Sequence, residues 1–382
     1  MIYLDHNATT PLHPDVFRAM EPYLREQFGN ASSSHRLGRE ARTALENSRK
    51  NMAGCLGAKP DEIIFTSGGT ESDNFALRGV ARALRREGTH IITSRTEHHA
   101  VLKTCQDLEQ EGFRVTYLPV DSNGRIDPDD VRRHIDKETI LISIMFANNE
   151  TGVIQPIFEI GAIAREEQII FHTDAVQAVG KIPVDVDDLG VDLLSVSGHK
   201  IYGPKGVGLL YIRQSTSIAP ILTGGHHEHN FRAGTENIPG IVGLGEALSI
   251  AATNLHKGTE KLLNLRQRFE TSILEKIDGV QINGLQAPRV PNTSNVSFQS
   301  IDGESILLHL DLKGIYASSG SACSTDSPEP SHVLLAMGVP ARTAQGAIRF
   351  SMGKDNTKDD MDAVVDALID ITAKLRTISS VR

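Results

Sequence analysis

Lys200 stands in the turn Ser197-Gly-His-Lys-Ile-Tyr-Gly-Pro-Lys-Gly206, between the apolar runs Val191–Val196 and Val207–Ile212. Two short β-type runs joined by a Gly/Pro-rich turn form a hairpin-like unit. The point where a chain leaves a sheet is where side chains converge on ligands. An amine placed there on an apolar wall loses solvent, which favours its neutral form and suits it to Schiff-base chemistry. A lysine alone in a turn is more often solvated surface. What separates Lys200 from that ordinary case is the set of polar residues at other strand ends.

The strand Glu62–Thr66 runs into Ser67-Gly-Gly-Thr70 and a helical pattern through Leu84. Such a turn leaves free N–H groups at a helix start, an anion cradle for phosphate at Gly69 and Thr70; the same residues also make a good turn and N-cap. After the strand His90–Thr93, His98 falls at a strand-to-helix junction, where its flat ring could lie against a planar ligand or simply cap the helix. The apolar run Ile140–Phe146 ends in Asn148-Asn149, and Gln168–His172 ends in Asp174, with Gln177 three residues on. The carboxyl ends of strands are the ligand side of an α/β sheet. Cys323 lies in the Gly/Ser-rich stretch Ala317–Pro330, with no period to bury it. It reads as a movable thiol or as an incidental loop cysteine. Arg349 interrupts the β-like run Ala347–Ser351 and suits either bidentate capture of a carboxylate or a buried ion pair. His226, His227 and His229 surround Glu228, but neighbours in an extended loop do not share a face, so no metal site is expected there.

The elements that must position these residues alternate between strand and helix from about residue 40 to 212, which reads as α/β with a mostly parallel sheet. Ala41, Leu45, Ser48, Met52 and Cys55 mark one face of a helix over 36–57, and Val101, Leu102, Cys105 and Leu108 mark another; both cysteines read as packing. A helix-rich stretch covers 240–277, and near residue 255 the order changes to α+β. Thr357 caps a final amphipathic helix carrying Met361, Val364, Val365, Leu368, Ile371 and Leu375. The expected domains are 14–255 and, together, 1–13 with 256–382. Across 382 residues, 39 Lys plus Arg face 48 Asp plus Glu, a net charge of −9 that argues against nucleic-acid binding and against an anionic membrane surface. No apolar run approaches the roughly 20 residues of a membrane span. Three cysteines are too few for a disulfide framework, so a cytoplasmic setting is expected.

Taken together, the motifs SGGTESDN, TEHHAV, NNETGV, HTDAVQ, SGHKIYGPKGVG, FRAGTEN and SGSACS followed by EPSHVLLAMG resemble the pyridoxal-phosphate-dependent cysteine desulfurases of the NifS/IscS type, in the class-V aminotransferase superfamily. The resemblance runs from Tyr3 to Gly353. It implies fold type I of the pyridoxal-phosphate transferases, with a seven-stranded sheet between helices in a large domain and a smaller α+β domain carrying the cysteine loop. It further implies that Lys200 forms the imine with the cofactor and then moves the substrate's α-proton, while Asp174 keeps the pyridine nitrogen protonated. Gln177 and Asn149 would bond the ring's phenolic oxygen, and His98 would stack on its face. Gly69, Thr70, Ser197 and His199 would hold the phosphate, joined by Thr235 from a neighbouring subunit of a homodimer. Arg349, with Asn149, would anchor the carboxylate of L-cysteine. Cys323 would take the sulfur as a persulfide, release alanine and pass sulfur to an iron–sulfur scaffold protein or another acceptor; an iron role would be confined to Cys323 ligating a transient cluster.

Two departures stand out. Gly69 takes the place of a common Ala, and His6-Asn7 occupies a position with no role assigned. Two other readings share some of these residues. One is a selenocysteine lyase, or another lyase of the same superfamily. The second is a cofactor-free scaffold that recruits sulfur-transfer partners, which an intact Lys200 disfavours.

Overall fold

The computed structural model describes residues 1–319 and 330–379. In chain order the elements are β1 (Ile2–Tyr3), α1 (Pro14–Arg25), α2 (Arg36–Leu56), β2 (Ile63–Thr66), α3 (Gly69–Leu84), β3 (His90–Ser94), α4 (His99–Gln110), β4 (Arg114–Leu118) and α5 (Pro128–His134). Next come β5 (Thr139–Ser143), α6 (Ile157–Glu166), β6 (Ile170–Asp174), α7 (Val186–Leu189), β7 (Leu193–Ser197), β8 (Gly208–Ile212) and α8 (Ile238–Lys276). The chain closes with β9 (Val280–Ile282), β10 (Thr293–Phe298), α9 (Gly303–Leu312), β11 (Ile315–Tyr316), α10 (His332–Ala336), α11 (Ala341–Gln345), β12 (Ala347–Ser351) and α12 (Lys358–Ser379).

A seven-stranded sheet in the order β2-β8-β7-β6-β5-β3-β4 forms the centre. Its strands run parallel except β8, which is antiparallel to both β7 and β2. Burial on both faces explains the unbroken apolar runs of these strands. Ala41, Leu45, Ser48 and Met52 bury one face of α2 at the expected spacing, and left-handed Gly57 (φ 71°) ends that helix. Cys105 is buried in the apolar layer between α3, α4 and the sheet, and Cys55 packs against the opposite layer. Burial pushes both thiols up, away from reactivity.

One strand is displaced from its sequence reading. β6 spans Ile170–Asp174 rather than Gln168–His172, because Gln168 is left-handed (φ 58°) and Ile169 still bonds back to Ala164 of α6. Asp174 is therefore the last strand residue itself. β5 ends at Ser143, although Ile144 and Phe146 continue its ladder to the carbonyls of His172 and Asp174.

The 39-residue α8 packs against α1 and α2 through its first half and against α12 through its second. Its first half is long and apolar enough to cross a bilayer, yet Ile241, Leu244, Ala247 and Leu248 are buried in the protein. Leu265, Phe269 and Ile273 belong to a second core with β10, β12, α12 and Leu4. The antiparallel sheet β12-β10-β9 and the parallel pair β1-β11 build that region. α12 begins on a reciprocal cap in which Asp360 N–H donates to Thr357 Oγ1 (3.2 Å) and Thr357 N–H donates to Asp360 Oδ2 (2.9 Å).

Candidate active site

Five strand ends of the central sheet open onto one cavity of about 380 Å³. From β2 come Gly69 and Thr70, at the N-terminus of α3. Gly68 before them has φ 147°, a conformation open to glycine, and Gly208 across the sheet could not carry a Cβ, which would sit 2.7 Å from Gly68 Cα. At Gly69 a Cβ would come 2.8 Å from Val176 Cγ2, so an alanine there requires Val176 to shift. After β3, His98 Nδ1 accepts from Ala100 N–H (3.1 Å), so the ring caps α4 and also lines the cavity. Past β5, Asn148 shapes the turn by accepting from the N–H groups of Glu150 and Thr151 (both 2.9 Å), which leaves Asn149 at the cavity. β6 delivers Asp174 and Gln177; β7 delivers Ser197, His199 and Lys200.

A further wall comes from the N-terminal segment, through Asn7 and Ala8, which the sequence does not single out. Asn7 Nδ2 donates to the Asn149 carbonyl (3.1 Å) and to Thr293 Oγ1 (2.8 Å). The Asn7 carbonyl accepts from Gln177 Nε2 (3.0 Å) and from Lys200 Nζ (2.7 Å), which also donates to the Ala8 carbonyl (2.7 Å). Lys181, also unforeseen, is buried behind them, donating from Nζ to Asn7 Oδ1 (3.1 Å) and to Gln177 Oε1. The available signal was a lysine four residues beyond Gln177 in an otherwise apolar stretch, Ala175 to Ile182.

Electrostatics set the protonation states. Burial, followed by the nearby Lys200 charge, lowers His98 to about 4, so the ring is neutral with its proton on Nε2. Burial and Lys200 hold His199 at about 4 likewise. Asp174 is raised to about 6 by burial, opposed by the Val176 N–H bond and by Lys200. Behind it, Asp73 is raised well above the carboxylate range by burial and by Asp174, and lies 3.6 Å from His172. His172 itself bridges Ser143 (2.9 Å) and Ser195 (3.0 Å).

Arg349 on β12 is buried and makes the ion pair that its sequence left open, donating from Nη2 to Asp5 Oδ1 (2.7 Å) and from Nη1 to the Asn149 carbonyl (3.1 Å). It lines the cavity as well, and its Nε is buried with no partner among the described residues. Glu228 accepts a fork from Arg49 Nη1 and Nη2 (both 2.8 Å) and a bond from Phe65 N–H (2.8 Å); the histidines around it are not its partners. His226 instead meets Asn230 Oδ1 (2.7 Å). Arg232 pairs with Glu71 (2.8 Å), tying the same loop to the start of α3. Thr235 lies exposed on that loop, outside the cavity of its own chain. Cys323 falls outside the described residues.

An amine, a buried carboxylate, a glycine-lined helix start and an unpartnered guanidinium N–H form the donor set that a phosphate-bearing aldehyde and a carboxylate substrate require. The residues fit pyridoxal phosphate. The class-V aminotransferase family model matches residues 2–364. A cysteine desulfurase IscS of Dictyoglomus turgidum is 57% identical over 99% of this chain and 96% of its own length. One from Methanosarcina thermophila is 54% identical over 99% and 93%. A solved structure of a NifS-like protein superposes with TM-score 0.92 at 40% identity, covering 98% of this chain and all of that one.

Proposed function

Because the chain belongs to the class-V aminotransferases, and within them is a pyridoxal-phosphate-dependent cysteine desulfurase, we propose that the cavity residues divide the work of taking sulfur from L-cysteine as follows. When bound, pyridoxal phosphate supplies an electron sink for the charge that develops at the substrate's Cα. Lys200 Nζ holds and moves the α-proton; the Asn7 and Ala8 carbonyls accept from it in its charged form. Asp174 keeps its negative charge against the ring nitrogen, helped by the Val176 N–H. The neutral His98 ring covers one face, and its depressed pKa keeps it from competing with Lys200 for charge. Gly69, Thr70, Ser197 and His199 receive the phosphate. Arg349, with Nε unengaged, takes the substrate carboxylate.

Cys323 completes the reaction as thiolate. Its sulfur attacks the substrate sulfur, an S–S bond forms, the C–S bond breaks, and the electron pair stays with the carbon skeleton that leaves as alanine. The persulfide then passes to an acceptor, an iron–sulfur scaffold protein or a thiolation enzyme, with Cys323 able to ligate a transient cluster. A homodimer is supported by Thr235, exposed in its own chain, and by the exposed Leu12, Phe17, Leu24 and Phe28 on and beside α1. A cytoplasmic location is supported by the free thiols of Cys55 and Cys105, and cell fractionation checks it.

One observation carries the functional reading: Lys200, Asp174, Gln177, His98 and Arg349, scattered over 252 positions from 98 to 349, share one cavity. The test is purified protein given L-cysteine. A yellow protein that yields alanine and a persulfide is expected, and Cys323→Ala loses desulfuration by at least about a thousand-fold while keeping its colour. Sulfur release undiminished in that variant, or a strong preference for selenocysteine, points instead to a lyase.

A further inference from the structure

We infer that Lys181 is a positioning residue: its buried amine fixes which end of the Gln177 amide faces the cavity. Gln177 is held from both ends. Its nitrogen donates to the Asn7 carbonyl (3.0 Å), which can only accept, and its oxygen accepts from Lys181 Nζ. A flipped amide would set two acceptor oxygens against each other and leave the Lys181 amine facing N–H groups. With Lys181 in place the amide nitrogen has one hydrogen on Asn7 and a second for the cavity, which Gln177 lines. Without it, the Gln177 oxygen is buried with no donor and a single bond governs the orientation.

Three further facts make Lys181 suited to this. Among the described residues no carboxylate lies within ion-pair distance of it, and burial together with the charges of Lys200 and Arg349 pushes its pKa well down. Both of these bonds, to Asn7 Oδ1 (3.1 Å) and to Gln177 Oε1, are donated by the amine to oxygen. Lys181 also borders a second cavity, with Ala251, Leu262 and Thr259 among its walls, and Thr259 Oγ1 on α8 donates to the Lys181 carbonyl (3.0 Å), fixing its backbone.

The inference rests on the reading that the cavity holds pyridoxal phosphate with the Gln177 N–H beside the ring's phenolic oxygen. A donor there stabilises the oxyanion, and its loss makes the group keep its proton to higher pH. The test titrates the cofactor's visible band with pH, without substrate, in holoenzymes of wild type, Lys181→Met, Gln177→Leu and the double variant. Lys181→Met is expected to raise the midpoint by about half a pH unit or more, and to add nothing in the Gln177→Leu background. An unmoved midpoint in Lys181→Met overturns the inference, as does an equal rise in both backgrounds, which marks a charge effect through space. If Lys181→Met does not fold, Lys181→Gln, which keeps an N–H donor at the site, replaces it. A rise in the single variant that is absent in the Gln177→Leu background then supports the inference, because the shorter amide cannot hold both Asn7 Oδ1 and Gln177 Oε1; an unmoved midpoint, or a rise that persists with Gln177→Leu, overturns it. Absence of any visible band in reconstituted wild type sinks the cofactor reading itself, an outcome distinct from four identical titrations.

Discussion

The histidines in and around the central sheet are set by burial more than by direct ion pairing. His90, His98, His172 and His199 sit at about 4, 4, 3 and 4, each with burial as the leading cause. Their folded pKa values lie below the unfolded value near 6.5, so the unfolded chain takes up protons first. Their contribution is intact above pH 6.5 and is lost as pH falls from there towards 4. Asp73, Glu97 and Asp174 are raised, so the folded state binds their protons first and acid relieves them instead. The prediction is a urea midpoint of the cofactor-free protein that falls between pH 6.5 and 4, with a visibly shallower fall in His172→Gln. An unchanged slope in that variant would mean that His172 charges freely in the fold. The sequence showed His98 and Asp174 as candidates because they end strands. Asp73 and His172 stayed illegible because their roles arise only where α3 meets β6 and β7.

Between elements, the loop from Gly224 to Asn237 has the most to lose. Glu228, His229 and Asn230 are all left-handed (φ 46°, 54° and 70°), a costly run for residues with a Cβ. Arg49 from α2 holds it through a two-pronged bond to Glu228, with the pair almost wholly buried. Removing the acid takes both short charge-assisted bonds from a buried guanidinium and leaves it only the half-exposed Glu46 (3.3 Å) and the Ile63 carbonyl. Glu228→Ala is therefore expected to cost about 3–5 kcal/mol in chemical denaturation. It should also loosen the loop that carries Thr235, seen as faster amide exchange across 228–235. A loss under about 1 kcal/mol would show that the loop stands without Arg49. The sequence drew notice to the acid and its neighbouring histidines and set a metal site aside, but offered the acid no partner. Nothing local to residue 228 announces a partner 179 positions away.

At the scale of the molecule, the alternation of strands and helices was readable because a parallel sheet demands apolar strands and helical crossovers. Strand ends were readable for the same reason, down to the two-residue displacement of β6. The N-terminal wall was not: Asn7 acquires meaning only when β1 pairs with β11 and its side chain reaches Thr293. The dimer proposal makes a prediction at this scale. If Thr235 completes the neighbour's site, mixing Lys200→Ala chains with Thr235→Val chains should restore about a quarter of wild-type sites, from mixed pairs with one intact cavity. Alanine formation from L-cysteine after co-expression, against each variant expressed alone, reads this. No recovery, with a sedimentation coefficient matching a single chain, would remove the shared site.

The bond between His6 and the Ser351 carbonyl joins residues 345 positions apart, and the strand at Ile2–Tyr3 pairs with Ile315–Tyr316. During translation the lysine-bearing turn leaves the ribosome long before its carbonyl acceptors at Asn7 and Ala8 can be locked in place. A nascent chain would therefore carry a formed central sheet with one side of its cleft still open. The cleft closes only once the segment through Ser351 is in place.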